Sequence, residues 1–156
     1  MRREEAKSQG HKIITTKWLD TNMGDEESPT YRSRVVGREI KKYTRLDLFA
    51  ATPPLETLKF LLSKSAKGQR VNRPKRFAVI DIKRSYFYAP AKRYAFIEIP
   101  EEDREAGDED KIGRLQLSLY GTRDAAQNWY EEYSTALRAW GFKVRKSSPC
   151  NFSHRE

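Results

Sequence analysis

A chain of 156 residues that is 37% hydrophobic and 34% charged has room for one domain with its own core, though not a generous one. Its single cysteine, Cys150, excludes a disulfide framework and a thiolate zinc site, and its two histidines, His11 and His154, lie near the termini, a poor basis for a histidine metal site or general base. The formal charge is +9, yet residues 101–110 (EEDREAGDED) carry −6, so the remainder stands at +15. That excess either meets a polyanion, nucleic acid before membrane, or merely solvates the surface; charge alone does not choose. Nothing resembles a signal peptide, and no apolar stretch approaches the ~20 residues of a membrane helix, so an intracellular, reducing setting and no membrane or disulfide partner are expected.

The first ten residues, MRREEAKSQG, show no periodicity and are expected to form a disordered tail, with one folded region over 11–156. HKIITTKWLD and YRSRVVGREI are β-rich and flank TNMGDEESPT, a cluster of turn residues, which predicts a hairpin with a long acidic tip. TPPLETLKFLLSKSAKG predicts a helix. Pro54 suits its first turn, Glu56 complements the dipole there, Leu55, Leu58, Leu61 and Leu62 repeat at helical spacing, and Gly68 ends it. The leucine face is expected to be core. Residues 63–76 then hold six basic side chains and no acid, a loop suited to phosphate or simply solvated.

The next stretch, FAVIDIKRSYFYAP (77–90), runs four apolar residues into Asp81 and reads as a buried strand. RYAFIEIP and IGRLQLSLYG are β-like runs on either side of the acidic loop. A helix is expected from Asp124 or Ala125, with Trp129, Tyr133, Leu137 and Trp140 as its apolar stripe and Gly141 as its end. FKVRKSS and CNFSH close the chain as two short strands. The order β-β-α-β-β-β-α-β-β is an α+β plan, read as an antiparallel sheet with helices on one side.

A carboxylate at the end of a buried strand is costly unless paired. Asp81 therefore either caps the following turn and pairs with Lys83 or Arg84, or offers oxygen to a hard cation such as Mg²⁺. The stretch by itself leaves both open.

Taken in order, the segments resemble the reverse transcriptase domain of copia-type long-terminal-repeat retrotransposons. Lys17-Trp18 stands where that family has a K-W entry strand, and Tyr31 to Gly37 resembles its Y-K-A-R-L-V-A segment. PPLETLKFLL, Pro53 to Leu62, resembles P-V-x-x-E-T-x-R-x-L-L. IDIKRSY, Ile80 to Tyr86, is similar to the polymerase motif A, L-D-V-K-N-A-F, and FIEIP, Phe96 to Pro100, to Y-M-E-Q-P. LQLSLYGTRDAAQNWY, Leu115 to Tyr130, resembles L-K-K-S-L-Y-G-L-K-Q-A-P-R-A-W-Y. The resemblance covers about residues 17–152 and implies the fingers and part of the palm of an RNA-directed DNA polymerase.

The resemblance implies two Mg²⁺ ions held between palm carboxylates and the triphosphate of a deoxynucleotide, with an RNA or DNA template-primer as partner. It places Asp81 as the first metal-ligating aspartate, with the backbone of Ile82 beside it. Tyr86 takes the position of a steric gate against a 2′-hydroxyl; its plain alternative is a core aromatic. Arg34, and less firmly Arg32, fall where a basic side chain grips triphosphate, a role that suits guanidinium geometry, and otherwise are strand-surface charges. Gly121 occupies the motif whose glycine admits the backbone close to nucleotide and template, and Arg123 replaces a lysine nearby.

Departures accompany the matches: Arg84 stands for asparagine, Ala126 for proline, and Gly37 to Ile40 lacks the alanine-lysine-glycine pattern. The Y-V-D-D box that supplies the other carboxylates is missing, and no Asp-Asp pair occurs anywhere in the sequence. One carboxylate cannot hold two magnesium ions, so the expectation is a fragment that does not polymerise DNA alone, or, alternatively, a non-catalytic basic remnant that binds nucleic acid.

Overall fold

Facing β-rich runs and helix-spaced leucines dictate local elements, and a computed structural model shows how they assemble. It describes residues 1–40, 48, 52, 54–68, 76–145 and 148–154. The elements, in order, are α1 (Arg3–Ser8), β1 (Ile13–Ile14), β2 (Thr16–Asn22), β3 (Tyr31–Gly37), α2 (Leu55–Gly68), β4 (Phe96–Glu98), β5 (Ile112–Arg114), α3 (Ala125–Ala139), β6 (Lys143–Arg145) and β7 (Ser148–Ser153), with 3₁₀ turns at Ser85–Tyr88 and Glu101–Asp103. The class is α+β. Two units form: Met1–Phe49 with Ser85–Glu132, and Ala50–Arg84 with Tyr133–Glu156.

In the first unit β2 and β3 pair antiparallel from Thr16↔Gly37 to Asn22↔Tyr31. The turn between them is held by Asn22, whose Oδ1 accepts from the N–H groups of Gly24 (3.0 Å) and Thr30 (2.9 Å). A second sheet runs β1-β4-β5, with β1 parallel to β4 and β4 antiparallel to β5. Among the described residues the strands form three small sheets, not the expected single antiparallel one. The strands are too short to carry a sheet alone, and β1 finds a parallel neighbour distant in sequence that periodicity cannot reveal.

The tail is also corrected. Arg3–Ser8 is helical, and Ala6 is fully buried with Phe96 and Ile112, against which Ile13 packs. Arg3 Nη1 pairs with Glu98 Oε1 at 2.7 Å, and the Ile112 N–H donates to the Met1 carbonyl at 3.1 Å. A six-residue helix is too short to persist on its own propensity, so tertiary packing holds it.

In the second unit α2 begins after Pro54, whose carbonyl accepts from the Thr57 and Leu58 N–H groups at 3.0 and 3.3 Å. Its leucine face is not core: Leu55, Phe60 and Leu62 are exposed, while Leu58 and Leu61 are half-buried. Most of the basic run that follows, residues 69–75, lies outside the described residues. β6 and β7 pair antiparallel, and Tyr133 meets Phe152 edge-on at 5.8 Å. α3 ends at Gly141, φ 84°, where Gly141 N–H donates to the Arg138 carbonyl and Phe142 N–H to that of Leu137, a glycine-dependent stop. Along α3, Trp140 is exposed rather than part of the stripe, and the buried positions are Ala125, Asn128 and Ser134.

The strand expected at 77–80 does not form. Phe77 to Ile80 are irregular and exposed, Val79 and Ile80 at 70%. An apolar run becomes a strand only where a neighbour takes its N–H and C=O groups, and among the described residues none does. No helix among them is long and apolar enough to cross a membrane.

Candidate functional site

The register of β2 and β3 sorts their side chains. Lys17 faces Val36, Leu19 faces Arg34 and Thr21 faces Arg32, so strand alternation puts Lys17, Arg34 and Arg32 on one face of the hairpin. Both arginines and the lysine are exposed.

The hairpin leads directly to a glycine-rich meeting point. Gly37 N–H donates to the Tyr120 carbonyl at 2.7 Å, and Glu39 N–H to the Gly121 carbonyl at 3.3 Å. Gly121 has φ 83°, and a Cβ there would lie 1.9 Å from the Gly37 oxygen. Only glycine fits on both counts. In this structure, the close backbone approach that Gly121 permits is therefore to Gly37.

Tyr86 lies in the 3₁₀ turn, half-buried, its ring 4.4 Å from that of Tyr120, next to Gly121. Phe87 meets the same Tyr120 ring edge-on at 5.6 Å. Burial, then the neighbouring Tyr120, pushes the Tyr86 hydroxyl above the usual tyrosine value.

One network here escaped the sequence. The Glu39 side chain is only 4% exposed, and its Oε2 accepts both the Arg123 N–H, at 2.9 Å, and Arg93 Nη2. The same Nη2 reaches Asp124 Oδ1 at 2.9 Å, and Asn128 Nδ2, itself 3.0 Å from Ser118 Oγ, lies 3.4 Å from Asp124 Oδ2. Lys12 Nζ adds a longer contact to Glu39 Oε1, 3.5 Å. Burial alone would raise the Glu39 carboxyl, but the Arg123 N–H and the Arg93 guanidinium outweigh it and hold the group below its usual value. At Asp124 burial is likewise overcome, by Arg93 and then Asn128. Burial opposes the charge on Arg93, and the two carboxylates more than restore it. The participants lie far apart in the chain, so no spacing rule announces them.

Asp81 and Ile82 belong to the other unit, in the irregular stretch before the Lys83–Arg84 turn, and both are exposed. The buried carboxylate expected there is corrected: with no strand, Asp81 stays in water and carries no burial cost. Among the described residues no group of three or more His, Cys, Asp or Glu side chains could hold a metal ion. The donors among the described residues do not fit a pair of magnesium ions.

Residues 5–154 match the family model described as reverse transcriptase (RNA-dependent DNA polymerase). The retrovirus-related Pol polyprotein from transposon TNT 1-94 of Nicotiana tabacum is 24% identical over 151 residues, 94% of this chain and 11% of that polyprotein. The truncated transposon Ty1-A Gag-Pol polyprotein of Saccharomyces cerevisiae is 32% identical over 78 residues, 49% of this chain and 6% of the polyprotein. The chain thus spans only a small part of the length of these relatives. No solved structure matches it. Since the family model runs over nearly all of its residues, the chain belongs to the reverse transcriptase (RNA-dependent DNA polymerase) family, and the resemblance to copia-type retrotransposon reverse transcriptases read from its motifs is borne out.

Proposed function

We propose that this chain supplies the nucleotide- and template-handling part of a retrotransposon reverse transcriptase, and that its 156 residues by themselves bind nucleic acid without extending a primer. The observation that carries the reading is the exposed basic face of the β2–β3 hairpin, Lys17, Arg34 and Arg32, on a strand whose exit is fastened to the Gly121–Arg123 turn. Guanidinium groups two residues apart on a strand present donors about 7 Å apart, and phosphate oxygens are the partners their geometry suits.

Within this reading Arg32, Arg34 and Arg123 hold phosphate. Tyr86, leaning on Tyr120, excludes a 2′-hydroxyl and so favours deoxynucleotides. Asp81 and the backbone of Ile82 belong to the catalytic edge of the parent polymerase, where magnesium would supply Lewis-acid and nucleophile-activating chemistry. Because the donor set among the described residues does not fit a metal pair, no nucleotidyl-transfer step is assigned to these residues alone.

The test is binding of a fluorescent single-stranded oligonucleotide across a salt series. Log affinity should fall linearly with log salt, and an Arg32→Ala/Arg34→Ala variant should bind more weakly, its slope shallower by about 0.7 for each phosphate it no longer neutralises. Absence of binding even at low salt would sink the proposal. Primer extension with deoxynucleotides and Mg²⁺ should give no product; incorporation abolished by Asp81→Ala would overturn the claim of inactivity.

A further inference from the structure

We propose that Glu39 and Arg93 are positioning residues for nucleic-acid binding: they set the geometry between the basic hairpin and the Gly121–Arg123 turn, and touch no ligand themselves. The inference rests on the reading above and adds to it two residues to which the resemblance assigns no role. Glu39 follows β3 by two residues, so its carboxylate sits at the exit of the strand that bears Arg32 and Arg34. That carboxylate fixes the Arg123 backbone by accepting its N–H at 2.9 Å. Arg93, from the loop before β4, then joins it to Asp124, the residue immediately before α3. Both carboxylates accept from the same guanidinium nitrogen, Nη2, which thereby bridges two separate segments; the shorter, non-planar ammonium of lysine does not bring a donor to that point.

Burial supports a geometric role over a surface charge. The Glu39 and Asp124 side chains are 4% and 13% exposed, and Arg93 is 31% exposed. Neither carboxylate can leave its partners without stranding a charge away from water, so the arrangement has one favoured geometry. The backbone follows it: Glu39 N–H also donates to the Gly121 carbonyl, so strand exit and turn are held at both side-chain and main-chain level.

Charge and position make opposite forecasts, which gives a decisive experiment. Glu39→Gln removes one negative charge, and simple attraction to a polyanion would then tighten binding. Positioning demands the reverse. Wild type, Glu39→Gln, Arg93→Lys and a charge-matched control, Glu5→Gln on the exposed side of α1, are titrated with the same single-stranded oligonucleotide at fixed low salt, with a thermal melt of each.

The expected result is binding roughly tenfold weaker for Glu39→Gln, while Glu5→Gln binds as well as or slightly better than wild type. Glu39→Gln that tracks Glu5→Gln would overturn the inference. Should Glu39→Gln fail to melt cooperatively, Arg93→Lys decides, because it keeps the charge but shortens the reach of the bridging donor: weakened binding supports positioning, and unchanged binding overturns it. Wild type that does not bind sinks the functional reading itself and this inference with it, whereas binding by wild type and equally by both variants sinks the inference alone.

Discussion

Arg84 has φ 58°, the left-handed region that a long side chain enters at a cost of about 1–2 kcal/mol. Asparagine, the residue of the copia-type pattern at this position, tolerates that conformation because its short amide can bond locally. The departure from the family thus has a physical cost at the turn following Asp81. Arg84→Asn is expected to stabilise the fold by about 0.5–1 kcal/mol, read as a higher urea midpoint at unchanged slope. Asp81 shows the limit of motif reading at this scale. Its match to the motif rests on its neighbours in sequence, but its exposure depends on strand partners that no local pattern encodes. Arg32 and Arg34 are the opposite case, since strand alternation alone puts them on one face.

The elements that can be read directly are those with local causes: the β2–β3 hairpin with its turn residues, α2 after Pro54, α3 with Gly141 behind it. Those that cannot are set by distant contacts. α1 forms because Ala6 fits against Phe96 and Ile112, and residues 77–80 stay irregular for want of a neighbour among the described residues. The two views of the N-terminus diverge under mutation. A frayed tail would absorb Ala6→Asp within about 0.5 kcal/mol. Packed as it is, at 0% exposure, Ala6→Asp is expected to lower stability by about 2–4 kcal/mol by chemical denaturation, because the carboxylate would enter an apolar cluster without a partner.

Across the whole molecule, buried apolar side chains among the described residues are few, and half of them, Ala6, Ala89, Ala95 and Ala125, are alanines, in keeping with the polar composition. Ionic contacts therefore matter to its pH response. The Glu39 and Asp124 carboxyls are held below 4.5 and 3.8, their ordinary values, so the folded chain takes up protons there less readily than the unfolded one. Their contribution to stability is complete above those values and is lost as the pH falls through the lower folded ones. Thermal midpoints should be level from about pH 7 to 5 and drop below about pH 4.5, and Glu39→Gln, although less stable at neutral pH, should show a shallower acid limb. An acid limb as steep in Glu39→Gln as in wild type would show that other carboxylates govern it. The Glu39–Arg93–Asp124 network is invisible in the sequence for the reason it is effective: it ties together segments 31 or more positions apart.

Gly37 and Gly121 touch main chain to main chain, with no side chain to cushion them. A joint of that kind has almost no slack. On the proposed reading, a polyanion held by the arginine-bearing ribbon would therefore act on the turn that follows Tyr120 through this backbone contact. Grip at one end and alignment at the other would then be a single movement.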